Sequence, residues 1–219
     1  MATPTIEEYL EAIYVMESEN PPVISARVAE AMRISAPTMS DTLRRLIQQG
    51  YVSTGKSKVI LLTDRGREAA EALVRRHRLS ERWLVDALGM DWSRVHKEAC
   101  RLEHALSSEV EERLARALGN PSTCPHGNPI PGSGQELRQG VALSRVSPGE
   151  EVVLLRIAPE GERDRRFLSY LTGSGLVPGA RFRVVDAAPW AGIITVSVGG
   201  VTAIIGVDAA SHLWVEPAQ

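Results

Sequence analysis

Cysteine is nearly absent from this sequence: 219 residues hold two, Cys100 and Cys124. Two cysteines cannot build a disulfide framework, so nothing points to an oxidising compartment. The stretch Met1 to Glu11 is acidic and lacks the basic and apolar regions of a secretory leader. No apolar run reaches the roughly 20 residues of a membrane span. The expectation is a soluble cytoplasmic protein. An excess of one charge is also missing, since 25 Lys+Arg stand against 27 Asp+Glu for a net charge of −2. A chain that is basic throughout is excluded, and any nucleic-acid surface has to be local. There is no internal repeat, low-complexity tract, Gly-rich phosphate loop or nucleophile elbow. The common signatures of phosphoryl and acyl transfer are therefore missing, and the expectation is not an enzyme.

The rest of the composition is that of a globular protein, 43% hydrophobic and 24% charged, with a length that suits two or three small domains. From Thr5 to Glu17, Ile6, Leu10, Ile13 and Tyr14 recur at helical spacing behind acidic residues that favour a helix start, and Asn20-Pro21-Pro22 ends the run. Ser25 to Met32 reads as a short helix with Ser25 as N-cap, and Pro37 opens a third helix to Gln49 with Gly50 as its stop. Tyr51 to Leu62, interrupted by Thr54-Gly55-Lys56-Ser57, reads as a two-stranded hairpin. Three helices and a hairpin make a winged helix-turn-helix over 1–63, with the third helix as the recognition helix. Between Val23 and Ser80 basic residues outnumber acidic ones by about two to one, a local positive surface that the net charge hides.

Thr63-Asp64 caps a long helix to about Leu88, and Gly89-Met90-Asp91 breaks it. A further helix is expected from Trp92 to Leu118, bent near Ser107-Ser108. The apolar residues Trp83, Leu84, Leu88, Leu102, Leu106, Val110, Leu114 and Leu118 exceed the needs of a DNA-binding head, so 64–120 is expected to form a helical dimerisation and metal-binding domain. Pro121 to Gly140 is rich in Pro, Gly and Ser and reads as a linker. Beyond it, strands are expected at Val152–Ile157, Arg181–Asp186, Ile193–Val198, Val201–Ile205 and Leu213–Val215, with a helix at Asp164–Leu171. Five short strands in 141–219 indicate a small β-barrel, and the chain as a whole is mainly α with a small β domain.

The informative chemistry lies between His77 and His104. His77 and Glu81 are four residues apart and share a helix face. His96, Cys100, Glu103 and His104 stand at i, i+4, i+7 and i+8, one stripe on a helix. Imidazole, thiolate and carboxylate all ligate divalent transition metals. Any one of them alone is an ordinary helix residue, but six facing one way on two consecutive helices point to one or two ions. Four of the five histidines fall between His77 and His126. A metalloenzyme or metal-buffering protein that retains a structural helix-turn-helix is the alternative from another class, and a metal-independent winged-helix regulator is a third.

Several segments carry a resemblance to a known family. They are Ser35-Ala36-Pro37-Thr38-Met39-Ser40-Asp41-Thr42, Arg76-His77-Arg78-Leu79-Ser80-Glu81-Arg82, Val95-His96-Lys97-Glu98-Ala99-Cys100-Arg101-Leu102-Glu103-His104 and Gly127-Asn128-Pro129-Ile130-Pro131-Gly132. Over nearly its whole length the chain resembles the diphtheria toxin repressor family of iron- and manganese-dependent regulators. The resemblance implies a C-terminal SH3-like barrel, a homodimer on double-stranded operator DNA, and two ions per subunit. It implies a primary site of Glu8, Glu11, Cys100, Glu103 and His104. Glu8 replaces the methionine of the iron-type branch and the aspartate of the manganese-type branch, so the set is a hybrid that favours Mn²⁺ over Fe²⁺. The implied ancillary site is His77, Glu81 and His96 with two barrel groups. Arg163 and Arg166 align there and cannot ligate, which leaves Glu160, Glu162 or Asp164 as substitutes. Cys124 and His126 resemble a ligand pair of streptococcal manganese-type members. For DNA, Ser35, Pro37, Thr38, Ser40 and Asp41 lie at the start of the recognition helix, with Arg27, Arg44, Lys56 and Lys58 as phosphate contacts. No membrane and no small-molecule substrate are expected.

Overall fold

The computed structural model describes residues 5–218; residues 1–4 and 219, the outer ends of the expected winged-helix and barrel domains, lie outside them. The chain forms two compact units, one up to Arg76 and one from His77.

In the first unit, Thr5 caps α1 (Ile6–Glu19) through a capping box: its side chain accepts from Glu8 N while the Glu8 carboxylate accepts from Thr5 N. The apolar stripe buries Leu10 and Ile13 fully, with Tyr9, Ala12 and Met16 beside them. The helix runs two residues past the expected Glu17. α2 (Ser25–Ala31) starts with Ile24 at the cap position and no side-chain cap, so Ser25 is the first helical residue and not the N-cap. Arg33, at a φ of 53°, makes the turn into α3 (Ala36–Gln48), and Ser35 caps α3 by accepting from Thr38 N. β1 (Val52–Thr54) and β2 (Ile60–Leu62) pair antiparallel around a tight turn at Lys56–Lys58. Ile60 N also bonds to Val23 O, tying the α1–α2 loop to the wing. α4 (Asp64–Asp86) begins against this hairpin. Gly66 is required there, because a Cβ would lie 1.9 Å from Tyr51 O. Leu10, Ile13, Val28, Met39, Leu46 and Ile60 form the unit's core.

In the second unit, the distal part of α4 precedes α5 (Val95–Leu102) and α6 (Ser108–Ala117). The single helix expected from Trp92 to Leu118 is two helices. Asp91 holds the chain in a turn by accepting from Ser93 N, which delays the start to Val95. Ser107 caps a fresh helix by accepting from Val110 N, so the chain breaks outright where a bend was expected. Leu79, Ala115 and Ile130 form one small core, and Leu84, Val95 and Ala99 another.

The segment expected to be a linker has no helix and one isolated bridge, Thr123 to Pro129, yet it is packed. Burial alternates strictly from Cys124 through His126 and Asn128 to Ile130. Arg82 Nε donates to Thr123 O at 2.8 Å and Arg78 donates to Pro129 O.

The C-terminal part adds β3 (Val141–Ala142), β4 (Glu151–Ile157), α7 (Pro159–Glu162), α8 (Arg165–Gly173), β5 (Arg181–Ala188), β6 (Ile193–Val198), β7 (Val201–Gly206), α9 (Val207–Ala210) and β8 (Leu213–Pro217). The strands form one antiparallel sheet in the order β3-β8-β4-β5-β6-β7. Register shifts between Leu154 and Arg156 and between Val184 and Asp186 bend it around a single core that includes Leu154, Ile157, Leu168, Val184, Val196 and Leu213. The two-residue β3 is the one strand that sequence patterning passes over.

Candidate metal centre and nucleic-acid interface

α4 presents His77 and, one turn later, Glu81, both buried. Glu81 is the hub. Its Oε1 lies 3.2 Å from His77 Nε2 and 3.6 Å from His96 Nδ1, and its Oε2 lies 3.4 Å from His126 Nδ1. His77 Nδ1 bonds Glu103 Oε2 at 2.5 Å, and His77 Nε2 is 3.1 Å from His96 Nδ1. Cys100 Sγ is 3.9 Å from His96 Nε2, and Cys124 Sγ is 4.0 Å from His126 Nδ1. Three sets bring donor atoms within 4.8 Å of one another: His77, His96 and Cys100; Glu81, Cys124 and His126; Glu81, His96 and Glu162. Trp92 lies over His126 at a ring separation of 5.2 Å, and its backbone carbonyl is 3.1 Å from His126 Nε2.

Acidic and basic groups face one another inside this cluster. Burial pulls the His77 imidazole down, but the Glu81 charge and hydrogen bonds to Cys100, Glu103 and Glu81 lift it well above its ordinary value. His126 is likewise raised despite burial, by Glu81 and Glu162. His96, also opposed by burial, is raised to about 9 by hydrogen bonds to Cys100 and Glu81. Burial alone would raise Glu81, yet His126 and His77 hold it well below the usual carboxylate range. The Cys100 thiol is lowered against its burial by His77 and His96, whereas burial and then Glu81 push the Cys124 thiol up. Imidazoles with raised pKa thus stand between buried carboxylates, an environment that favours positive charge and would suit a cation. Soft sulfur, imidazole and hard carboxylate donors, mutually close and mostly buried, with Cys100 exposed and His96 half-buried at one edge, fit a divalent transition ion.

The expected stripe on one helix is corrected. α5 ends at Leu102, Glu103 is its C-cap, and His104 lies in the turn beyond. Glu103 still reaches the cluster through His77, and His104 Nε2 stands 3.4 Å from the other Glu103 oxygen. His77, expected in the ancillary set, contacts Glu103, expected in the primary set, so the two sets lie side by side. Asp164 is engaged as the N-cap of α8, accepting from Arg166 N and Phe167 N, and is not in the cluster. Glu160, Arg163 and Arg166 are exposed, and Glu162 takes the inward position. Cys124 and His126 join Glu81. Glu8 and Glu11 lie on α1 of the first unit.

In the first unit, Pro37, Thr38, Ser40, Asp41 and Arg44 are exposed on α3, while Met39, Thr42 and Leu46 face the core. Ser35, also exposed, shares a hydroxyl contact of 2.8 Å with Thr38, Ser40 bonds back to Ala36 O, and Asp41 pairs with Arg44 at 3.0 Å. Lys56 and Lys58 sit exposed at the hairpin tip. Arg27, half-exposed, donates to the carbonyls of Asn20 and Pro22 and so braces the α1–α2 loop.

Comparison with known proteins follows this layout. Residues 1–60 match a family model described as iron dependent repressor, N-terminal DNA binding domain; residues 63–132 match iron dependent repressor, metal binding and dimerisation domain; residues 141–217 match the FeoA domain. The iron-dependent repressor IdeR of Mycobacterium tuberculosis is 38% identical over 206 residues, 89% of either chain. The chain belongs to the iron-dependent repressor family. Another member, the diphtheria toxin repressor of Corynebacterium diphtheriae, is 44% identical over 149 residues, 68% of this chain and 65% of that one. A solved structure titled as a manganese-dependent transcriptional repressor in complex with manganese is 36% identical with a TM-score of 0.88, over 98% of this chain and all of that one. Family relatives are thus named for iron and for manganese.

Sequence analysis passed over Asn128, Arg156 and Trp92 at the cluster and Arg45 on the exposed side of α3. The signal for Asn128 was available: Cys124, His126, Asn128 and Ile130 follow a period of two, the mark of a segment with one buried face. Arg45 stands four residues after Asp41 on the same helix.

Proposed function

We propose that the chain is a transcriptional regulator that grips operator DNA as a homodimer when divalent ions fill the Glu81-centred cluster, with Mn²⁺ as the working ion and Fe²⁺ as its nearest competitor. One observation carries this reading: imidazole, cysteine sulfur and carboxylate donors, most of them buried, converge around Glu81 in a chain that also carries a winged helix-turn-helix. His77, Glu81, His96, Cys100, Glu103, Cys124, His126 and Glu162 would hold the ions. The family resemblance adds Glu8, Glu11 and His104 to the Cys100 set. A bound ion supplies fixed positive charge in place of exchangeable protons. Glu81, with one oxygen toward His77 and His96 and the other toward His126, couples the two groups of donors. Regulation then follows from differential affinity: ions stabilise the DNA-competent state to the extent that they bind it better.

On the DNA side, the exposed N-terminal turn of α3 offers the positive end of a helix and the short side chains of Ser35, Thr38 and Ser40. Pro37 suits a thymine methyl and Asp41 a cytosine amino group, while Arg44, Lys56 and Lys58 suit phosphates. The manganese preference rests on the carboxylate-rich donor set, and the thiolates keep Fe²⁺ in contention. The test is selection of duplexes from a random-sequence pool by the purified protein with Mn²⁺, with anaerobic Fe²⁺, and with chelator. Enrichment of a palindromic duplex in the metal arms alone is expected. Equal enrichment in chelator would overturn the reading.

A further inference from the structure

Two of the most deeply buried polar side chains in the second unit lie outside the His, Cys and Glu donor sets of the cluster. Asn128 is 0% exposed and Arg156 is 2% exposed. The Asn128 amide is fully oriented by its neighbours. Its Nδ2 donates to Ile157 O at 2.7 Å and to Glu162 Oε1, and its Oδ1 accepts from Arg156 Nη1 at 3.3 Å. A guanidinium only donates, so the amide oxygen has to face Arg156 and the NH₂ has to face Glu162.

The backbone is built for this contact. The register shift between Leu154 and Arg156 breaks the alternation of β4, so that Leu154, Leu155, Arg156 and Ile157 are all buried. The Arg156 guanidinium rests on the Trp214 ring at 4.7 Å. Gly127, at a φ of 87°, lets the chain press onto β4, where a Cβ would meet Leu155 O at 2.3 Å. Ile157 N donates to His126 O at 2.9 Å. Ile157 therefore holds His126 by one backbone group and Asn128 by the other. Glu162, at the far end of the amide, lies 3.8 Å from His126 Nδ1 and shares a donor set with Glu81 and His96.

We propose that Arg156 and Asn128 are positioning residues for the metal cluster: a buried brace running from cation through amide to carboxylate fixes Glu162 toward Glu81, His96 and His126 and so sets the ion affinity of that group of donors. The inference rests on the metal-regulator reading and deepens it, assigning a task to two residues outside its donor sets. The brace has a direction. A permanent positive charge at Arg156 keeps the amide from turning over, and only the unturned amide gives a donor to Glu162.

The experiment is Mn²⁺ titration of the full-length protein, with free Mn²⁺ read by electron paramagnetic resonance. Variants are Asn128→Asp, Arg156→Met, Arg156→Lys, Glu162→Gln and the double variant Asn128→Asp/Glu162→Gln, with metal-free melts by circular dichroism. Asn128→Asp sets a carboxylate against Glu162 and is expected to weaken one class of bound Mn²⁺ by about tenfold or more, as lost outer contacts do, while the other class keeps its affinity. Arg156→Met keeps a stem against Trp214 but releases the amide and is expected to weaken the same class. Arg156→Lys restores most of it. The double variant is no weaker than the weaker single one, because both changes act on one carboxylate. If Asn128→Asp does not fold, the contrast between Met and Lys at 156 decides. Wild-type affinity in Asn128→Asp or Arg156→Met overturns the brace. So does equal weakening of both classes, additive loss in the double variant, or no rescue by lysine. A wild-type protein that binds no Mn²⁺ overturns the regulator reading itself.

Discussion

At the scale of single residues, Glu81 decides the behaviour of the cluster. It is fully buried and faces three imidazoles. Glu81→Gln removes the charge that holds His77 and His126 protonated, and breaking a buried pair of this kind costs about 3–5 kcal/mol. Metal-free Glu81→Gln should therefore melt well below wild type, and its Mn²⁺ affinity should fall by at least about tenfold, as calorimetry on both proteins would show. The imidazoles also give the metal-free protein a pH signature. His96 is raised from 6.5 to about 9. A group whose folded pKa lies above its unfolded value lends stability that is complete below the unfolded value and is lost as pH rises through the folded one. Metal-free protein should thus lose melting temperature between about pH 6.5 and 9. Glu81, held well below 4.5, acts in the opposite sense, lending stability that is present above about pH 4.5 and lost as pH falls. A melting temperature flat from pH 6 to 9.5, together with equal melting of His96→Gln, would contradict this assignment.

At the scale of elements, the segment Cys124–Ile130 and the hairpin tip each carry a separable task. Gly127→Ala forces a Cβ to within 2.3 Å of Leu155 O, so the segment has to lift from β4. Mn²⁺ binding by the Cys124 and His126 donors should then weaken, while binding by the His77, His96 and Cys100 donors persists, a difference visible as a change in the stoichiometry of tight binding. At the wing, Lys56→Ala and Lys58→Ala should weaken duplex binding evenly across sequences and each lower the salt slope by about 1. An unchanged slope in both variants would remove the wing lysines from the phosphate contacts. Elements with their own periodicity were legible in sequence: α1, α3, the β1–β2 hairpin and the strands β4 to β8 fall within a few residues of expectation. The break between α5 and α6 was not, because Ser107 is an N-cap only once the preceding turn has formed. The packed segment was hidden by its prolines and glycines, which read as a linker while every second residue is buried. At the cluster, donor types and helix spacing were legible. The contact of His77 with Glu103 depends on how α4 and the end of α5 pack, and the inward place of Glu162, with Asp164 as a helix cap, depends on where α7 and α8 lie in the fold.

At the scale of the whole molecule, a chain with a net charge of −2 combines a winged helix whose exposed α3 start and basic hairpin tip suit DNA with a buried cluster that suits divalent ions. Membership of the iron-dependent repressor family places the two in one regulatory protein. The claim that joins them is that ion occupancy of the cluster controls duplex binding. The most direct test is fluorescence anisotropy of a labelled duplex, taken from the selection described above, titrated with wild-type and Glu81→Gln protein in Mn²⁺ and in chelator. The account predicts tight wild-type binding in Mn²⁺ alone, with Glu81→Gln needing at least about tenfold more Mn²⁺ to reach the same occupancy. Equal wild-type affinity in Mn²⁺ and in chelator would contradict it.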